Sequence, residues 1–296
     1  MASLKVILIV KGFFILILCA QLNLLESVNF FKTRPLLSSM KTTCLILESE
    51  SKLTVIESFL SPKKDFVISD SIKSAFKTCN ELVMEVDLNM DLKTQLEILE
   101  LTMLPDGKTI ADITTKENSE RIRNFCLDSI NWKESKYNKT SRFQPFFLSS
   151  LITQELIGKS KSYEIEFKKL AKKNKMSMSG LETIQFQMNL LSEVSNEEQI
   201  KMLLLGLTTD NSEFNKLLEN YLKKDINQLV TLMNTDLSPE FYSDLIVKRN
   251  QKWIPIITEL IQKKSTFIAV GAAHLPGKEG VLNLLQEAGY KITPID

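Results

Sequence analysis

The stretch Ser265-Thr-Phe-Ile-Ala-Val-Gly-Ala-Ala-His-Leu-Pro-Gly277 decides how the rest of the chain is read. Thr266 to Val270 is a β-branched and aromatic run of strand length, which predicts a buried strand. Gly271 follows, at a point where the backbone turns sharply or lets another group approach closely. His274, the only histidine in the sequence, comes three residues later. Pro276-Gly277 punctuates the chain, Gly280 to Ala288 reads as a helix with Gly289 in the position just past its end, and Tyr290 to Ile295 is a last short strand. His274 therefore sits in the loop after the C-terminal end of a strand, where open α/β sheets bind ligands. By residue type alone, a single loop histidine is more often a hydrogen-bonded spacer than a ligand or a base. The strand, Gly-x-x-His, Pro-Gly, helix order gives it a sheet-edge setting.

Working back from this stretch, the chain is a few strands separated by many helices. Cys44-Leu-Ile-Leu47 and Leu53 to Ile56 are apolar runs that suit a pair of strands. Asp65 to Phe76 ends in a helix with a polar start, and Glu81-Leu-Val-Met-Glu-Val-Asp87 is a nearly continuous apolar strand. Leu92, Leu96, Leu99 and Met103 recur at helical spacing until Pro105-Asp-Gly107 breaks the pattern. Helices are expected over Lys116 to Ile130, Phe146 to Leu156 and Tyr163 to Lys173, the last with Lys168, Lys169, Lys172 and Lys173 on a solvated side. Met176 to Gly180 is a short strand, and Leu181-Glu-Thr183 leads into a helix carrying Ile184, Met188 and Leu191. Ser195-Asn-Glu-Glu198 has the pattern of a capping box. Further helices are read at Phe214 to Leu222 and Ile226 to Met233. Ser238-Pro239 opens another, with Phe241, Leu245, Arg249 and Trp253 on it, which Pro255 is expected to kink or restart. The expected class is α/β, with a central sheet, a polar site at the strand ends, and a large helical insertion before the last strands.

The chain has 296 residues, enough for a sizeable core, and a net charge of +1, which gives no electrostatic case for nucleic acid or an anionic membrane. Cys19, Cys44, Cys79 and Cys126 show no Cys-x-x-Cys spacing, so neither a zinc site nor a redox motif is supported. Residues 1–20 differ from the rest. Lys5 and Lys11 precede the apolar run Phe13 to Ala20, the pattern of a secretory signal peptide, with an uncleaved apolar segment as the alternative. Lys11 interrupts the apolar stretch and argues against a spanning helix. This reading makes residues 21–296 one exported domain, with membrane contact only through the N-terminal segment.

Three polar residues occupy equivalent places. Glu85 is near the end of one strand, Glu182 follows another, and His274 follows a third. Parallel strands would bring all three to one sheet edge. Two carboxylates and an imidazole suit a first-row divalent metal, and equally a general acid–base set. Each has a plainer reading. Glu85 could face solvent with Asp87 in its place, Glu182 suits a helix N-terminus, and Arg249 on a helix is ordinarily solvated.

The final stretch, with Gly280-Val-Leu-Asn-Leu-Leu285 and Gly289-Tyr290 before Thr293-Pro294, resembles the end of the TraB/GumN family, to which the Tiki and PrgY proteins belong. The resemblance runs from about Lys63 onward through Glu81 to Asp87, Leu104-Pro-Asp-Gly-Lys-Thr109, Pro145-Phe-Phe-Leu148, Tyr163-Glu164, Gly180-Leu-Glu-Thr183 with Gln187, and Arg249-Asn250 with Trp253. It implies a TraB/Tiki-like fold in which Glu85, Glu182, Arg249 and His274 match shared polar positions. It also implies a divalent-metal-dependent, peptidase-like hydrolase of peptides or proteins, with Mn²⁺, Co²⁺ or Zn²⁺ held by Glu85, Glu182 and His274. One departure stands out. The family carries a second Gly-x-x-His on its first strand, whereas Val55-Ile-Glu-Ser-Phe-Leu-Ser-Pro62 has neither glycine nor histidine, and Phe59 falls about where the histidine belongs. A metal would then need help from Glu57 or Asp65. The alternative is a catalytically inactive member that binds or scaffolds a partner.

Overall fold

The computed structural model describes residues 44–48, 53–58, 60–62, 66–87, 90–157, 160–207 and 239–295. Its main sheet has six strands: β1 (Cys44–Glu48), β2 (Leu53–Ser58), β3 (Glu81–Val86), β4 (Ser177–Glu182), β5 (Thr266–Gly271) and β6 (Lys291–Ile295). Their order across the sheet is β4-β3-β5-β2-β1-β6. The strands β4, β3, β5 and β2 run parallel, whereas β1 is antiparallel to both β2 and β6. The expected α/β class, the paired strands at Cys44 and Leu53, and the parallel run are all present. The described residues fall into two compact units. The sheet unit draws on the described residues within 44–87, 161–184 and 239–295, and the helical unit on those within 90–160 and 185–207. Much of the helical unit lies between β3 and β4, where the sequence places the helices from Leu92 to Leu156. The segments read as helices at Phe214 to Leu222 and Ile226 to Met233 lie outside the described residues, as do residues 1–43.

Alternation along the strands gives the sheet two apolar faces. On one face, Leu82, Met84, Phe267 and Ala269 meet Ile72, Ala75 and Phe76 of helix α1 (Asp70–Lys77) and Tyr163, Phe167 and Ala171 of α2 (Tyr163–Lys173). Ser69 and Ser162 cap these helices, each hydroxyl accepting a backbone N–H three residues on. On the other face, Val83, Ile268 and Val270 meet Trp253, Ile257 and Ile261 of α3 (Lys248–Lys263) and Val281 and Leu285 of α4 (Val281–Glu287). The 4-residue recurrence Arg249, Trp253, Ile257, Ile261 turns one stripe of α3 toward the sheet.

Several boundaries differ from expectation. β4 runs on through Glu182 because pairing with β3 continues to Val86 opposite Glu182. α3 runs unbroken through Pro255. The lost hydrogen bond belongs to the carbonyl of Gln251, which lies on the exposed side and can be hydrated. The helix expected over Lys116 to Ile130 is α-helical to Asn124 and closes with a π turn, Phe125–Ser129. In the helix Leu92–Thr102 the inward side chains are Ile98 and Thr102, while Leu92 and Leu96 are 71% and 53% exposed. The helical unit has its own core, including Leu104, Ile110, Ile122, Trp132, Leu148, Ile152 and Leu203.

Gly180 is fixed by close packing. A Cβ there would lie 2.4 Å from the backbone nitrogen of Asp87 and 2.8 Å from the carbonyl carbon of Val86, both rigid backbone atoms. Gly180→Ala is expected to lower the unfolding free energy by about 1–3 kcal/mol, the usual range for forced overpacking. Urea denaturation compares the two proteins, and an unchanged midpoint would contradict this close approach.

Candidate functional site

Four strand and helix segments of the sheet unit deliver polar side chains to one place. Glu85 shares its face of β3 with Val83, so it points toward α3. The register that sets Met84 beside Ala269 and Val86 beside Glu182 brings the C-terminal ends of β3, β4 and β5 level with one another. Beyond β5, a short 3₁₀ turn, Ala272–His274, folds the imidazole back against the same edge. From α3 come Arg249, Asn250 and Trp253. The four expected site residues, Glu85, Glu182, Arg249 and His274, are therefore together.

Arg249 is the centre of the cluster, not a solvated neighbour of it. Its side chain is 1% exposed, against 14% for Glu85, 6% for Glu182 and 2% for His274. Nε donates to Glu182 Oε1 at 2.9 Å and Oε2 at 3.0 Å, and Nη2 donates to Glu85 Oε2 at 2.8 Å. Nη2 also lies 2.9 Å from Glu182 Oε2. Nη1 donates to the Leu245 carbonyl at 2.9 Å and faces His274 Nε2 at 3.2 Å. The planar guanidinium thus presents a fixed fork of donors to two carboxylates and an imidazole at once. Burial disfavours its charged form, but the charges of Glu85 and Glu182 and their hydrogen bonds outweigh that and hold its pKa above the ordinary value. Such a buried pair differs in kind from surface pairs such as Lys263 with Glu259. A surface pair contributes about 0–1 kcal/mol. Removing one partner of a buried pair costs about 3–5 kcal/mol.

The surrounding bonds fix each group. Trp253 Nε1 donates to Glu182 Oε1 at 2.9 Å, and the Gly271 N–H donates to Glu85 Oε1 at 2.7 Å. Of the two readings of Gly271, close approach is the one realised, since a Cβ there would lie 2.9 Å from Glu85 Oε1. The Asn250 amide donates to the carbonyls of His274 at 3.1 Å and Glu279 at 2.7 Å. Its nitrogen is thereby placed, and its oxygen faces His274 Nδ1 at 2.7 Å. Arginine has only donors, so Nε2 of His274 accepts and Nδ1 carries the hydrogen given to Asn250. The indole of Trp253 lies 4.4 Å from the imidazole, centroid to centroid, and the guanidinium lies 5.0 Å from the indole. Burial first, and the charge of Arg249 second, push the His274 pKa well below its ordinary value. The imidazole is neutral.

The donor set Glu85, Glu182 and His274 is chemically suited to a divalent ion, and the three do converge. In this arrangement they do not fit one, because Arg249 engages both carboxylates and the Nε2 lone pair that a metal would take. Among the described residues, no group of three or more His, Cys, Asp or Glu side chains is arranged to hold a metal. The side chain of Glu57 and all of Asp65, named as assisting ligands, lie outside the described residues, as does Phe59. Asp87, the rival to Glu85, lies past the end of β3 within electrostatic reach of Lys168. Sequence reasoning named Asn250 and Trp253 without their roles. The spacing of Arg249 and Trp253, four apart on one helix face, was the available signal for Trp253. Nothing local marks Asn250 as the partner of an imidazole 24 residues away.

Comparison with known proteins gives three findings. The sequence model of the TraB/PrgY/gumN family matches residues 60–294. An uncharacterized protein of Treponema pallidum (strain Nichols) is 24% identical over 246 residues, covering 74% of this chain and 71% of that protein. No solved structure matches significantly.

The neutral, buried imidazole sets a pH dependence. In the unfolded chain His274 takes up a proton near pH 6.5, whereas in the fold it does not. Below that pH the unfolded state binds more protons, so the contribution is complete above about pH 6.5 and is lost on acidification. Its slope is expected to reach about 1.4 kcal/mol per pH unit until the lowered pKa of the folded imidazole is met. Denaturant titrations from pH 7.5 to pH 5 measure it. His274→Gln, which cannot take up a proton, should flatten that part of the curve, and an unchanged slope in the variant would place the dependence elsewhere.

Proposed function

This chain belongs to the TraB/PrgY/gumN family, and from that premise we propose that it is an exported member acting as a binding or scaffold protein, catalytically silent, with a peptide or protein as its partner. The observation that carries the reading is the Arg249 cluster. The guanidinium holds both carboxylates and the Nε2 lone pair of His274, and its own side chain and that of His274 are 1% and 2% exposed. A hydrolase needs a group free to activate water and a path for the scissile bond to reach it. Neither His274 nor Glu182 offers that in this arrangement. The sequence Val55 to Pro62, which lacks the second Gly-x-x-His of the family's pattern, supports the same reading.

Export rests on the basic start and short apolar run within residues 1–20, and that segment is the one route proposed for membrane contact. No described helix is long and apolar enough to cross a membrane.

A second reading, a hydrolase dependent on Mn²⁺, Co²⁺ or Zn²⁺, is favoured by the convergence of Glu85, Glu182 and His274 at one strand edge. An assay on peptide and unfolded-protein substrates separates the two, with each metal supplied in turn to the purified chain, Glu182→Gln and His274→Ala. The expected outcome is no hydrolysis above the metal-only background in any of the three. Metal-dependent cleavage by the parent chain that both substitutions abolish would establish the hydrolase instead.

A further inference from the structure

The side chains of Glu85, Glu182 and His274 come from three segments far apart in sequence, yet they present their acceptor atoms to one point. What occupies that point is a guanidinium. Its Nε, Nη1 and Nη2 are aimed at Glu182, His274 and Glu85 respectively, at 2.9 Å, 3.2 Å and 2.8 Å. Two carboxylates and an imidazole lone pair around one buried centre require a cation there, since carboxylates removed from water are tolerated only when paired. We propose that Arg249 is the resident cation of this centre, built into the chain in the place of a bound ion, and that the three groups around it form a latent divalent-metal site which the arginine keeps closed.

Three features beyond the ion pairs support this. First, the arginine is anchored from behind as well as in front. Leu245, in the π turn Ser243–Val247 just before α3, gives its carbonyl to Nη1 at 2.9 Å, so the fork is held at the centre by its own helix. Second, the tautomer of His274 is set for a cation. Asn250 takes the Nδ1 hydrogen at 2.7 Å and leaves the Nε2 lone pair pointing inward. This is the arrangement that orients a metal-ligating histidine, with the second nitrogen bonded to a neighbouring acceptor. Third, each carboxylate is oriented by a donor other than the arginine. Trp253 holds Glu182 at 2.9 Å and the Gly271 N–H holds Glu85 at 2.7 Å. Removing the guanidinium therefore leaves all three groups with a partner that keeps them in place. The guanidinium is permanently charged and tethered, so a dissolved ion competes with it at a disadvantage. This inference concerns what fills the centre and does not depend on whether the chain has a binding role.

The test is metal titration of the full chain, of Arg249→Met and of Arg249→Met with His274→Ala, using Zn²⁺, Mn²⁺ and Co²⁺. The parent chain is expected to bind none of them stoichiometrically. Arg249→Met, which keeps an apolar stem and opens the centre, is expected to bind about one ion per chain and to melt at a higher temperature with the metal than without. The double variant should lose more than the roughly 10–100-fold in affinity that removing a group behind a ligand costs. If Arg249→Met is unfolded alone, the same inference requires it to fold when the metal is added. A variant that neither binds a metal nor gains stability from one overturns the latent site.

The parent chain gives an independent readout through its single imidazole, whose ¹⁵N signals belong to His274 alone. They are expected to report the Nδ1–H form and to be unmoved by Zn²⁺ and unbroadened by Mn²⁺. Selective loss of that signal with Mn²⁺, or one tightly held ion that His274→Ala removes, would show a metal displacing Arg249 and overturn the inference. Metal binding of that kind without hydrolysis would still leave the binding role standing, so the two proposals fail separately.

Discussion

A buried guanidinium between two carboxylates is the constraint on which this sheet unit turns. Arg249 is nine-tenths or more hidden from solvent and permanently charged, so it must be met by negative charge from somewhere in the fold. Glu85 lies one residue before the end of one strand and Glu182 ends the next, and the helix carrying Arg249 packs on the face of Val83 and Ile268, where its guanidinium reaches both carboxylates. Any packing of α3 that failed to deliver Arg249 here would strand a cation on one side and two anions on the other. Hydrophobic packing alone would tolerate several positions of α3 on the sheet. In the position observed, the guanidinium meets both carboxylates, and removing either side of such a buried pair leaves an uncompensated charge.

The apolar residues arrange for that meeting to happen. Ile268 and Val270 on β5, Val83 on β3, and Trp253, Ile257 and Ile261 on α3 form a continuous layer below the polar cluster. The stripe that buries Ile257 and Ile261 carries Trp253 and Arg249 one and two turns earlier, so the helix passes from apolar packing to polar recognition along a single line. Trp253 belongs to both regimes: its ring packs in the core and its N–H reaches Glu182. On the opposite face Phe76, Phe167 and Phe267 close the second core and hold the strands level from behind.

The loop from Gly271 to Gly280 is held by the same network. Asn250 bonds to the carbonyls of His274 and Glu279 and to the imidazole between them, so one side chain of α3 sets the path of the loop as well as the tautomer of its histidine. Gly271 has no side chain because Glu85 already occupies that space. The motif that reads in sequence as Gly-x-x-His is thus, in the fold, a means of letting one carboxylate close to the backbone and turning one imidazole inward.

Much of this was legible in the residues alone. Thr266 to Val270 and Glu81 to Val86 are strands because continuous apolar runs of that length suit a sheet buried on both faces, and the candidates Glu85, Glu182, Arg249 and His274 were identified from their places at strand ends and from the family's pattern. What local pattern misjudged were cases decided by distant partners. Leu92 and Leu96 have helical spacing but the buried side of that helix is the one carrying Ile98 and Thr102. Pro255 has the chemistry to break a helix, yet the carbonyl it orphans faces solvent. Arg249 reads in sequence as a solvated helix residue or as one of the family's shared polar positions, because nothing in its neighbourhood along the chain supplies a countercharge. The sequence by itself determined the elements, their apolar faces and which polar residues stand at the strand ends, since those follow from periodicities of two and 3.6 residues. Only the tertiary structure decided that the centre they share is filled by a guanidinium, because the groups that hold Arg249 lie 164, 67 and 25 residues away from it, and proximity at that range is created by folding alone.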